Sequence, residues 1–164
     1  MWPKHPEQGT VFNFPDIKLY ENYKPIKVLN DQTFLTDALT DKAIDFIKRN
    51  KNNPFFLYLP HPQPHVPLYA SDKFIGSQKR GLYGDVINEI DYSVGRILKA
   101  LKMEKLEENT IIIFTSDTGP WLSYGGHSGS AGIFREGKGT NWEGGHRVPS
   151  IVSVSYTHLT LPTS

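Results

Sequence analysis

The chain has 164 residues, 38% of them hydrophobic and 21% charged, and a formal net charge of +1, which suits one soluble domain with a core of its own. So small a charge makes no electrostatic case for nucleic acid. The absence of cysteine excludes disulfides, thiolate metal sites and a cysteine nucleophile within the chain, and no apolar run approaches the roughly 18 residues of a membrane span.

Residues 1–30 are rich in proline and aromatics and lack periodicity. They predict an irregular segment, one that wraps over a body lying upstream or opens inside a larger domain. Met1-Trp2-Pro3-Lys4-His5-Pro6 shows no apolar h-region of a signal peptide. From Thr33 to Asn50 the spacing predicts a helix. Leu35, Leu39, Ala43, Phe46 and Ile47 share a stripe, while Asp37, Asp41, Lys42 and Asp45 fall mostly elsewhere. Asn52-Asn53-Pro54 stops it. Phe55-Phe56-Leu57-Tyr58-Leu59 predicts a buried strand, ended by Pro60, which has no N–H for a ladder.

Leu82 to Lys102 is the clearest helical stretch, with Tyr83, Val86, Ile87, Ile90, Val94, Ile97, Leu98 and Leu101 at three- to four-residue spacing. Glu107-Glu108-Asn109 predicts a turn. Ile111-Ile112-Ile113-Phe114 predicts a fully buried, parallel strand, and Arg147 to Val154 a last strand. Helix, strand, helix, strand is an α/β rhythm. Nine of the 14 glycines lie between Gly119 and Gly145, a loop in which glycine permits positive φ and close backbone approach to a ligand. Residues 1–152 read as one partial domain. Residues 153–164 resemble translated linker and are set apart as a non-native-looking tail.

Three segments could carry chemistry. Asp117 follows the Ile111–Phe114 strand, where open α/β sheets bind ligands, and its carboxylate suits a hard cation; a turn-capping aspartate is the alternative. Pro60-His61-Pro62-Gln63-Pro64-His65-Val66-Pro67 is stiffened by alternate prolines. It could aim an imidazole at an anionic oxygen or a leaving group, or be a surface loop whose histidines only pack. Lys138, between Gly137 and Gly139, is a point charge suited to sulfate or phosphate, or a solvated loop lysine. The spacing is not that of a P-loop. His127 is a weaker candidate, and His146 and Arg147 read as residues that orient or pack the loop exit. Together Asp117, His65 and Lys138 suggest a metal-assisted site for a tetrahedral anion, without separating sulfate from phosphate.

Thr115-Ser116-Asp117-Thr118-Gly119-Pro120 followed by Gly137-Lys138-Gly139-Thr140-Asn141-Trp142-Glu143-Gly144-Gly145-His146-Arg147-Val148-Pro149 resembles the late signature of the sulfatases, particularly the arylsulfatase type. Phe55 to Leu68 and Gly81 to Leu101 resemble that family's segments in the same order. The resemblance implies a partial alkaline-phosphatase-like α/β domain with a mainly parallel sheet and flanking helices. It implies a sulfuric ester hydrolase with one Ca²⁺ and a formylglycine nucleophile made in a Cys/Ser-x-Pro-x-Arg motif. By the resemblance, Asp117 is a calcium ligand, His65 contacts the sulfate and helps protonate the leaving oxygen, and Lys138 neutralises charge on the sulfate. The expected partner is a sulfated small molecule or glycan, and the expected compartment is periplasmic, secreted or lysosomal.

Two departures stand out. Thr118 occupies the position where the family has Asn. No Cys/Ser-x-Pro-x-Arg motif exists, since there is no cysteine and no serine precedes a proline by two residues. The expectation is therefore a fragment that starts partway through the domain, is inactive alone, and takes its nucleophile from upstream sequence. A phosphodiesterase or phosphatase of the same superfamily is the alternative, although Ser116-Asp117-Thr118-Gly119 lacks the histidine typical of those relatives. A non-catalytic module binding sulfated glycans is the third reading.

Overall fold

The computed structural model describes residues 16–154. The segment expected to be irregular contains a hairpin. Strand β1 (Lys18–Glu21) pairs antiparallel with β2 (Lys24–Val28), Glu21 opposite Lys24. The two-residue turn places Asn22 at φ +54°, the left-handed conformation that tight hairpins require and that Asn tolerates. Asn22 is the sequence signal of this turn.

Helix α1 (Leu35–Asn50) and helix α2 (Gly81–Met103) form where the periodicity predicts them, and they pack on each other. Of the expected stripe, Leu35, Ala43 and Ile47 are buried and Leu39 and Phe46 half-buried. Thr36 and Thr40 share the buried face. On α2, Val86, Ile90 and Leu101 are buried, but so are Asp85, Glu89 and Ser93, whereas Ile87 and Leu98 face out at 40% and 41% exposure. Outside the seam, Arg96 of α2 pairs with both Asp37 and Asp41 of α1.

The buried acids of α2 serve the loop before it. Asp85 accepts backbone N–H groups from Gly76 and Gln78, both at 2.9 Å, and the Ser77 hydroxyl at 3.2 Å. Glu89 accepts the Ser71 N–H at 2.9 Å. The donors hold the Asp85 carboxyl below its usual range, the Gly76 N–H contributing most. Val66, Leu68, Ala70 and Phe74 then close on Val86 and Ile90 as one apolar cluster.

The strand expectations need correction. Phe55 to Leu59 runs without a ladder partner among the described residues. Its side chains alternate as a strand's do: Phe56 and Tyr58 are 85% and 75% exposed, while Phe55 turns edge-on to Phe46 at 5.8 Å. Strand β3 (Ile112–Thr115) is neither buried nor parallel. It pairs antiparallel with β4 (Ser150–Ser153), Ile113 opposite Val152. Ile113 and Ile151 are more than 60% exposed, because among the described residues no helix packs over this two-stranded sheet. Both described sheets are thus antiparallel. The Glu107–Asn109 turn forms as a short 3-10 turn. Of the set-apart tail, Ser153 belongs to β4 and Val154 follows it; residues 155–164 lie outside the described residues.

Candidate functional site

The two signature segments, separate in sequence, are zipped together by their main chains. The Gly119 N–H donates to the Gly145 carbonyl at 3.0 Å, and the Lys138 N–H to the Pro120 carbonyl at 2.8 Å. The Thr115 hydroxyl donates to the Pro149 carbonyl at 3.3 Å. A short helix α3 (Glu143–His146) starts under the loop, its Gly144 N–H bonded to the Arg135 carbonyl at 2.9 Å.

Glycine makes this contact possible. A Cβ on Gly119 would sit 1.8 Å from the Gly144 carbonyl oxygen, and one on Gly144 would sit 2.0 Å from the Glu136 oxygen. The expected close approach is therefore between two stretches of the chain's own backbone. The two glycines beside Lys138 differ. A Cβ on Gly137 would strike the Pro120 oxygen at 2.3 Å, whereas Gly139 has open space but holds φ +87°. One permits packing; the other turns the chain.

Trp121 joins two of the three predicted residues. The Lys138 ammonium lies 5.4 Å from the Trp121 ring centre, within cation–π range. The His65 imidazole meets the same indole edge-on at 5.9 Å. Trp121 also packs on Tyr124 at 4.9 Å, and both rest against the Val66–Ile90 cluster. Sequence reasoning missed Trp121 because a tryptophan after a proline has no chemistry of its own; only its neighbours give it a role.

His65 is exposed, and its Nδ1 lies 2.7 Å from the Val66 carbonyl. A carbonyl only accepts, so Nδ1 carries the hydrogen. Gln63, buried beneath, spans the same turn by donating to the Pro67 carbonyl and accepting the Tyr69 N–H, both at 3.3 Å. His61 faces the other way, toward the helices, where burial holds it below the ordinary imidazole range.

Asp117 is exposed in the turn between β3 and Gly119, and the ring contacts joining His65 to Lys138 do not extend to it. The Ser116 hydroxyl beside it is turned onto the Thr118 carbonyl at 3.0 Å. No group of three or more His, Asp or Glu side chains gathers among the described residues. Calcium takes six to eight oxygens, and the described residues assemble no such set of carboxylates around Asp117. At the loop exit, Arg147 pairs with Glu143 and stacks over Phe134 at 5.3 Å, while Arg135 stacks over Trp142 at 3.7 Å. Arg147 thus packs the exit as expected; His127 is half-buried and His146 exposed.

The family model described as Sulfatase matches residues 5–160. The chain is 42% identical over 149 residues to an arylsulfatase of Hemicentrotus pulcherrimus, covering 89% of this chain and 27% of that protein. It is 44% identical to the N-acetylgalactosamine-6-sulfatase of Canis lupus familiaris (82% and 26% covered) and 42% identical to the human steryl-sulfatase (82% and 24%). It therefore spans about a quarter of the length of the curated relatives it matches. The solved structure of Ps i-CgsB in complex with k-i-k-neocarrahexaose superposes with a TM-score of 0.74 at 34% identity, over 84% of this chain and 31% of that one. The PsFucS1 sulfatase from Pseudoalteromonas sp. gives 0.71 at 34% identity, over 79% and 26%. Family match, identity and superposition agree: the chain belongs to the sulfatase family and carries part of its alkaline-phosphatase-like α/β fold.

Proposed function

We propose that this chain supplies the sulfate-facing part of a calcium-dependent sulfuric ester hydrolase, with His65 and Lys138 on the substrate and Asp117 giving one carboxylate to the metal. The supporting observation is the shared indole: an imidazole and an ammonium are held against one ring, Trp121. Two donors brought to one place suit an oxyanion with several oxygens. Lys138 offsets the charge of the sulfate, and its main chain is fixed by Pro120. With Nδ1 committed to Val66, His65 acts through Nε2. As the imidazolium it gives the Nε2 proton to the ester oxygen while the S–O bond breaks, and is left neutral. In a sulfatase, formylglycine supplies the nucleophile toward sulfur; no motif for making it occurs in this chain.

The substrate class is a sulfate ester of a sugar or an aryl alcohol. A relative named for a sulfated sugar and a neighbour solved with k-i-k-neocarrahexaose favour the sugar. The proposed setting is an exported or lysosomal compartment; among the described residues no helix is long and apolar enough to cross a membrane.

The chain is expected to turn over no aryl sulfate, yet to show sulfate-induced NMR shifts at His65 and Lys138 together. These shifts should vanish in the His65→Ala, Lys138→Ala double variant. Calcium-dependent hydrolysis by the pure chain would overturn its catalytic incompleteness. Saturating sulfate without a shift at either residue would overturn the site.

A further inference from the structure

His61 is the titratable group of the proline loop that the proposed chemistry does not use, and it is tied into both helices. Its Nε2 lies 3.3 Å from Ser93 Oγ on α2. Ser93 Oγ lies 2.5 Å from Thr40 Oγ1 on α1, and Thr40 Oγ1 donates to the Thr36 carbonyl at 2.6 Å. Ser93 and Thr40 are buried at 2% and 0% exposure, so water does not compete for these groups.

Counting hydrogens fixes the direction of the relay. The hydroxyl hydrogen of Thr40 is spent on the Thr36 carbonyl, so Thr40 accepts from Ser93. The hydroxyl hydrogen of Ser93 is then spent too, so Ser93 accepts from His61 Nε2–H. His61 is thereby the Nε2–H tautomer. Its Nδ1 is buried without a partner among the described residues, which leaves no acceptor for a second ring proton and agrees with the lowered pKa.

The loop between His61 and Ala70 faces two ways. His61 and Gln63 turn inward, Val66, Leu68 and Ala70 enter the core, and Pro64 and His65 turn out. His61 therefore grips the helix seam four residues before His65 meets Trp121. The prolines between them limit how far the loop can absorb a slip at its anchor.

We propose that His61 is a positioning residue, whose hydrogen bond to Ser93 and Thr40 at the α1–α2 seam sets where His65 stands against Trp121. The inference rests on the role proposed above for His65, but its test does not use sulfate. In the 164-residue chain, ring NOEs between His65 and Trp121 report the placement directly, and the ring ¹⁵N shifts of His61 report its tautomer.

The wild type is expected to show both the NOEs and the Nε2–H pattern. His61→Ala should lose the NOEs while the methyl shifts of Ile47 and Leu101 stay in place. Ser93→Ala should do the same and should shift the His61 tautomer balance. His61→Gln, which keeps a donor at a similar reach, should restore the NOEs. If His61→Ala unfolds, Ser93→Ala and His61→Gln decide the matter alone. NOEs that persist in Ser93→Ala, or a His61 that is the Nδ1–H tautomer, would overturn the proposal. Intact NOEs in a chain that fails to respond to sulfate would instead overturn the functional reading and leave the positioning role standing.

Discussion

The helical half and the glycine loop reach order by opposite means. In the helical half, side chains decide: Ile47 and Val86 are each 1% exposed, and Thr40, Ser93 and His61 form a polar chain that joins α1 to α2. Between Gly119 and Gly145, missing side chains decide. Carbonyl oxygens occupy the space of absent Cβ atoms, and main-chain bonds from Gly119, Lys138 and Gly144 close the loop. A core built from side chains weakens by degrees as atoms are removed. A backbone lattice fails when one atom is added.

That contrast can be broken in order of effect. Ile47→Ala removes a fully buried side chain from α1 and should cost about 2–5 kcal/mol of global stability, read as a lower midpoint in urea. Gly144→Ala should cost about 3 kcal/mol, through a Cβ placed against the Glu136 and Arg135 oxygens. Its loss should be local: amide-exchange protection falls at Gly119, Lys138 and Gly144 while α1 keeps its own. Equal loss in both regions would show that the two halves unfold as one unit.

Acid should act on the helical half first. Asp85 has a folded-state pKa held below its unfolded value by the Gly76 and Gln78 N–H groups. The stability it contributes is therefore present above the ordinary aspartate value of about 3.9 and lost as pH falls through the lower folded value. Thermal unfolding followed from pH 6 down to about 3 should show this fall, and Asp85→Asn should flatten it while lowering stability at neutral pH. The smallest effect belongs to Gly139→Ala. It meets no atom within 4 Å but holds φ +87°, so it should cost about 1–2 kcal/mol from backbone strain alone. A Gly139→Ala loss equal to that of Gly144→Ala would mean that strain, and not the lattice, governs the loop.

The two helices were legible because a 3.6-residue stripe is a local property of the chain. Polar members of their buried faces were not. Thr40, Asp85, Glu89 and Ser93 break the apolar pattern, and each is buried where it meets a partner distant in sequence or a loop backbone. Strands were harder still, since a ladder needs a partner the local sequence does not name. Ile111–Phe114 reads as buried by composition, yet β3 pairs antiparallel with β4 and leaves Ile113 and Phe114 exposed. Chemistry of residue type found His65 and Lys138 as candidates, but the ring joining them, Trp121, carries no such mark. Asp117 stands where the sequence put it, just past the end of β3, and no group of three or more His, Asp or Glu gathers among the described residues.

The bond from Lys138 N–H to the Pro120 carbonyl also separates the base of the loop from its crown. Between them Trp121 and Tyr124 rest on the apolar cluster, whereas Ile133 stands out at 96% exposure. A closed base lets a crown lengthen cheaply, since doubling a flexible loop adds only about 0.6 kcal/mol of closure entropy. The outer stretch around Ile133 is thus a replaceable cassette: residues can be exchanged or inserted there while Trp121 and the lysine beneath keep their stations.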